Sequence, residues 1–168
     1  MIVNTTRFGQ LTIDEEKVIN FPFGIPGFPE LQEWCILTPD GQLGVSWLQA
    51  VKDPDVALLV ADPDSLFPEY NAEIDERDLG PIGVSISADS PEVPDLVMRV
   101  VLTVDRNNSV VTANLRAPIV FNIGTRQAIQ VALRRGDYSV RETLAQPTEL
   151  GTGNTTDGME QLSVATGT

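Results

Sequence analysis

The 168-residue sequence contains no histidine. That absence excludes Ser-His-Asp and Cys-His nucleophile pairs, histidine-ligated zinc and imidazole acid–base chemistry. Its one cysteine, Cys35, cannot close an internal disulfide. A lone thiol fits a reducing compartment, and a cytoplasmic location is expected. Positive charge is also scarce: 11 Lys and Arg stand against 24 Asp and Glu, a formal net charge of −13. Such a surface repels a phosphate backbone, so direct binding to nucleic acid or to an anionic membrane is disfavoured, whereas a basic protein partner is allowed. The longest clean apolar run, residues 56–61, is far too short to span a bilayer. Residues 1–10 carry no basic stretch followed by an apolar run, so no signal peptide is expected.

What is present is 42% hydrophobic residues, enough for a sizeable core. The pattern reads as short strands separated by Gly, Pro, Asn or Asp: 2–8 and 11–13 around Gly9, then 18–23, 35–37, 45–49, 56–61, 70–74, 82–87, 96–104, 110–115, 119–123, 128–133 and 138–141. Residues 29–34 and 76–79 suit short helical turns, and no long amphipathic helix interrupts the strands. The expected fold is all-β: a small antiparallel β-barrel or pseudo-barrel with Greek-key-like connections and one or two short helical turns. One domain is expected over 1–145. Beyond it a Thr/Gly-rich tail, 146–168, lacks apolar periodicity and should be mobile.

Charge is segregated along the chain. Residues 53–95 hold twelve acids and one base, Arg77, whereas 99–141 hold seven arginines and two acids. The acids suggest several chemistries. Asp53/Asp55 and Asp62/Asp64 resemble paired catalytic carboxylates, as in a carbohydrate-active enzyme, but each pair flanks a proline, where Asp is favoured for local backbone hydrogen bonds. Calcium-loop spacing is absent, so no metal and no cofactor is expected. Gly24-Ile25-Pro26-Gly27-Phe28 lacks a phosphate-binding pattern and reads as a rigid turn, with Phe21, Phe23 and Phe28 anchoring it to the core. Pro118 should mark a bend or edge between two strands, with Asn114 and Asn122 satisfying backbone groups there. Trp34, Trp47 and Tyr70 suit core packing better than ligand stacking, and Cys35 suits an inert buried thiol. A small-molecule-binding barrel remains the third alternative; it requires an open apolar interior.

Several segments occur together in a specific order: Gly24-Ile25-Pro26-Gly27-Phe28; Trp47-Leu48-Gln49 with Lys52-Asp53-Pro54; Phe67-Pro68-Glu69-Tyr70; and Thr112-Ala113-Asn114-Leu115 running into Ala117-Pro118-Ile119-Val120-Phe121-Asn122. Gln130-Val131, Tyr138 and Arg141 close the series. Over about residues 1–145 the chain resembles the FliW family of flagellar assembly factors. The resemblance implies a non-enzymatic β-barrel that binds flagellin before export and also binds CsrA, a dimeric RNA-binding regulator that blocks translation of flagellin mRNA. Flagellin and CsrA would compete for it, and the antagonism of CsrA would be allosteric. The family often carries a histidine after the final arginine; here Arg141 is followed by Glu142.

An acidic protein suits a basic RNA-binding partner, because complementary charge speeds encounter and selects partners. The expected contact residues are Glu69, Asn71, Glu73 and Asp75, which share one face if 70–74 is a strand, while Tyr70, Ala72 and Ile74 face the core. Family members frequently have an acid where Asn71 stands. Trp47, Gln49 and Asp53 are secondary candidates, and a monomer is expected when no partner is bound.

Overall fold

Short β-branched and aromatic runs bounded by turn residues form the strands. The computed structural model describes residues 1–41, 44–85, 94–144 and 162–163. Its elements are β1 (Ile2–Thr5), β2 (Gly9–Thr12), β3 (Ile19–Asn20), β4 (Glu33–Pro39), β5 (Val45–Ala50), β6 (Ala57–Ala61), α1 (Pro63–Leu66), β7 (Leu96–Asp105), β8 (Val110–Ala113), β9 (Ile119–Asn122), β10 (Gln127–Gln130), β11 (Glu142–Thr143) and β12 (Leu162–Ser163). Single 3-10 segments cover Glu15–Lys17 and Glu76–Ile82.

Strands β7, β6, β5, β4, β3, β10 and β9 are hydrogen-bonded in that order, and β9 returns to β7 to close a ring. This is the expected pseudo-barrel, with one departure from antiparallel pairing: β10 runs parallel to β3 at Gln127 and Asn20. Closure depends on the length of β7. Its first half, from Leu96 to Arg99, pairs with β9, and its second half, from Leu102 to Asp105, pairs with β8. The chain bends between β8 and β9 at Pro118, which has no N–H to offer a ladder. Asn114 Oδ1 accepts from the Ala117 N–H at 3.0 Å across that bend, and Asn122 Nδ2 donates to the Ile82 carbonyl at 2.9 Å. Asn114 serves the bend as expected, whereas Asn122 serves backbone groups away from it, at Ile82 and Thr125.

The ring is filled by side chains. Phe21, Trp34, Leu48, Val60, Ile119 and Phe121 form its core. Phe21 meets Trp34 and Phe121 edge to face at 6.0 Å. Among the described residues, an opening of about 30 Å³ is lined by Ile19, Ile36, Val97 and Phe121 together with Arg99, Arg126 and Gln127. That is room for little more than a water molecule, so the interior does not suit a small-molecule binder.

The outside of the ring is covered in three places. The β1–β2 hairpin lays Val3 on Cys35 and Leu37. The chain after β6 packs Leu66, Phe67 and Tyr70 over Leu59, Val100, Leu102 and Ala113. The 3-10 segment lays Leu79 and Ile82 over Val120 and Val131. Burial on two sides explains why all four residues of β9 are buried, a run with no alternation in its sequence.

Four local expectations change. Residues 29–34 form a turn leading into β4, not a helical turn. The strand expected over 70–74 is absent, because the Asn71 N–H and carbonyl both bond to the Tyr138 hydroxyl, at 3.3 and 2.8 Å, instead of to a neighbouring strand. Residues 138–141 hold that clasp, and pairing resumes only at β11. The expected strand 82–87 lies partly outside the described residues. Within them, Ile82 ends the 3-10 segment and Gly83 stops it at φ +81. The expected tail, 146–168, lies outside the described residues except for β12, which pairs with Thr38 and Pro39.

The Gly24–Phe28 loop closes the ring near β4, with Ile25 buried and Phe28 edge to face with Trp34 at 6.4 Å. Phe23 does not anchor it as expected: it is 65% exposed, because the loop's inward positions are taken by Phe21 and Ile25. Gly24 has φ +65, and a Cβ there would lie 2.5 Å from the Phe28 carbonyl oxygen. Gly24→Ala should therefore lower stability by about 2 kcal/mol or more. Gly27→Ala, at φ +95 with nothing within 4 Å, should lose only about 1 kcal/mol. Urea denaturation of both variants checks the contrast.

Candidate functional site

The segment after α1 is built from the outside of the barrel. Phe67 and Tyr70 are held by apolar contact with the β6–β8 face. The Tyr70 hydroxyl donates to the Leu115 carbonyl at 2.8 Å, and its ring meets Tyr138 edge to face at 4.8 Å. Burial, reinforced by the neighbouring Tyr138, pushes the Tyr70 hydroxyl up to about 12, so it stays a proton donor. Glu69, Asn71 and Glu73 are exposed, while Tyr70, Ala72 and Ile74 are half-buried. The alternation expected of a strand is thus present without one, with Tyr70 and Ile74 packed against the barrel.

Asp75 follows, half-buried, as the N-cap of the 3-10 segment. Its Oδ1 accepts from the Arg77 N–H at 3.0 Å and from Arg77 Nε at 3.1 Å. These bonds, together with the Arg77 and Arg134 charges, hold its carboxyl below the ordinary 3.8. Opposite stands the chain after β10. Arg134 lies 2.7 Å from Asp78 and 3.8 Å from Asp75, and Arg135 lies 3.7 Å from Glu73. A groove of about 340 Å³ separates the two walls, with Glu73, Asp75 and Asp78 on one and Leu133, Arg134 and Arg135 on the other. The acidic and basic halves of the sequence meet here. Segregated charge was legible in the sequence; that Arg134, Arg135 and Tyr138 would fasten this segment was not.

The secondary candidates lie elsewhere. Trp47, on β5, is half-buried, with Phe8 edge to face at 6.2 Å and the Arg7 guanidinium 3.9 Å from its ring centroid. Gln49 is fully buried. Its amide nitrogen lies 3.0 Å from each of the Ala50, Asp53 and Val56 carbonyls. Gln49 therefore shapes the β5–β6 turn and offers nothing to a partner, which corrects its place among the contact residues. Asp53 is half-buried, and its Oδ1 accepts from the Asp55 N–H at 3.0 Å. Asp62 does the same for Asp64 at 3.0 Å, capping α1. Both Asp-Pro-Asp runs hold turns through these backbone bonds. The groove carboxylates face arginines, and Asp75 is held in its ionised form, which removes it as a proton donor near neutral pH. Cys35 is buried, and burial pushes its thiol up to about 11, away from the reactive thiolate.

A family model described as FliW protein matches residues 2–144. The chain belongs to the FliW family. Among relatives named flagellar assembly factor FliW, the protein of Caldanaerobacter subterraneus subsp. tengcongensis is 33% identical over 147 residues, covering 87% of this chain and 94% of that one. The Syntrophomonas wolfei protein is 31% identical over 149 residues, covering 89% and 92%. The Syntrophus aciditrophicus protein is 35% identical over 141 residues, covering 84% and 85%. A crystal structure of the flagellar assembly factor FliW superimposes with a TM-score of 0.73 at 29% identity, covering 86% of this chain and 96% of that one. The chain is thus a member of the FliW family of flagellar assembly factors.

Two measurements check the assigned roles. Gln49→Ala removes a buried amide that holds three carbonyls and leaves a void. It should cost about 2–4 kcal/mol in urea denaturation. Asp75 titrates from a depressed folded value, so its stabilising contribution is fully present above its unfolded pKa and is lost as pH falls through the folded one. Carboxyl-detected NMR should show Asp75 protonating below the ordinary aspartate range, and Asp75→Asn should flatten the acid limb of the stability–pH curve. Ordinary titration of Asp75 would contradict the capping bonds.

Proposed function

We propose that this FliW-family chain works in the cytoplasm by docking onto two proteins. It binds flagellin before export, and when flagellin is absent it sequesters CsrA, allosterically relieving repression of flagellin mRNA translation. The observation that supports this reading is a FliW match over residues 2–144 in a chain of formal charge −13. A carboxylate-rich surface attracts a basic RNA-binding protein and repels RNA, so a chain docked beside an RNA site disfavours RNA there without covering it.

The docking residues in this reading are Glu69, Asn71, Glu73 and Asp75, with Trp47 and Asp53 at the margin. The first three are exposed on a segment fixed by Tyr70 and Tyr138. Such preorganisation lowers the ordering cost of binding. The working unit is a single barrel domain over 1–145, monomeric when unbound, with 146–168 as an appendage.

Glu69→Lys with Glu73→Lys reverses two exposed charges without touching a cap or the core. Calorimetry at low ionic strength should show CsrA affinity falling about tenfold or more, with weaker salt dependence and an unchanged melting temperature. Unchanged affinity would remove this segment from the interface. Failure of the wild-type protein to bind either CsrA or flagellin would remove the function.

A further inference from the structure

Arg134 and Arg135 stand against the carboxylates of the proposed docking segment. They reach Glu73, Asp75 and Asp78 from a segment with no strand pairing of its own among the described residues. The segment is instead held by loop contacts: the Leu133 N–H donates to the Arg116 carbonyl at 2.9 Å, and the Ser139 carbonyl accepts from the Leu115 and Arg116 N–H groups at 3.0 and 3.2 Å. Arg116 Nη1 donates to the Gly136 carbonyl at 2.9 Å, and the Tyr138 hydroxyl donates to the Asn71 carbonyl at 2.8 Å. Gly136 sits at φ +85, and a Cβ there would lie 2.7 Å from the Tyr138 ring, so the bend that presents the two arginines is itself constrained.

We propose that Arg134 and Arg135 are an internal competitor: they neutralise the carboxylates of the docking segment in the unbound protein and swing aside when a basic partner's own arginines or lysines replace them. This rests on the functional reading above and adds its regulation. The exposure of the pairs suits exchange. The Arg134 and Arg135 side chains are 69% and 84% exposed, so each contact is individually weak and salt-screened. The groove between the walls, about 340 Å³, admits incoming side chains without moving the barrel. The groove's carboxylates remain a site only for a cation that outcompetes two tethered guanidinium groups. That raises the charge density a partner must present, and so selects against weakly basic proteins.

The test is a pair of double variants in the full chain. Arg134→Gln with Arg135→Gln removes the competitor. Arg106→Gln with Arg126→Gln, both exposed and away from the groove, makes the same change in net charge. Binding to purified CsrA is followed by calorimetry across a salt series, with melting temperatures recorded for both. The expected result is a rise in affinity of roughly three- to tenfold for the groove variant, a steeper salt dependence, and little change for the control. An equal rise in both would assign the effect to bulk charge and overturn the proposal. A fall for the groove variant would make the arginines partner contacts and overturn it too. Loss of binding by the wild-type chain would instead strike the functional reading, and is told apart by the wild-type titration alone.

Discussion

A closed ring of strands leaves no long hydrogen-bonding edge exposed, and closure here turns on β7. Its first half carries β9 and its second half carries β8, so one strand both seals the ring and extends past it. That division requires the chain between β8 and β9 to bend, which Pro118 and the Asn114 side chain achieve together. With the ring closed, Trp34, Phe21 and Phe121 fill its interior, and the β1–β2 hairpin, the chain after β6 and the 3-10 segment from Glu76 attach to its outer wall. The segment 69–78 and the groove beside it belong to those attachments, whereas Trp47 and Gln49 lie on β5 of the ring itself. A rigid wall lets the segment 69–78 hold an exposed, irregular conformation that would not persist alone.

Much of this was legible from residues. Most strands, the hairpin around Gly9, the 3-10 segment beginning at Glu76 and the bend at Pro118 follow from local composition, because turn chemistry and β-propensity act over a few residues. The turn role of Asp53-Pro54-Asp55 and Asp62-Pro63-Asp64 was legible for the same reason. The segment 70–74 was not. Its alternation is genuine, but a period of two records which side chains are anchored and says nothing about whether a neighbouring strand supplies hydrogen bonds. Here a tyrosine 67 residues away supplies them.

The site shows the same division. Exposure at Glu69, Asn71 and Glu73 followed from the pattern. The burial of Gln49 did not, since a polar residue next to a turn reads as surface until the three carbonyls it serves are seen converging on it. Phe23 erred in the opposite direction: among three nearby phenylalanines, composition cannot say which one the loop turns outward. Arg134 and Arg135 lay in the half of the sequence read as merely basic, and only the tertiary fold sets them against the acids.

Net charge and local charge therefore do different work in this chain. A formal charge of −13 acts over a Debye length and draws basic proteins towards any face. Within hydrogen-bonding range the field is reshaped: Glu73, Asp75 and Asp78 face arginines, while Glu69 has no ion-pair partner among the described residues. Encounter can be promiscuous while docking stays selective, because the long-range term counts all charges and the short-range term counts only those a partner can reach. A surface built this way favours a partner that brings its own concentrated positive charge.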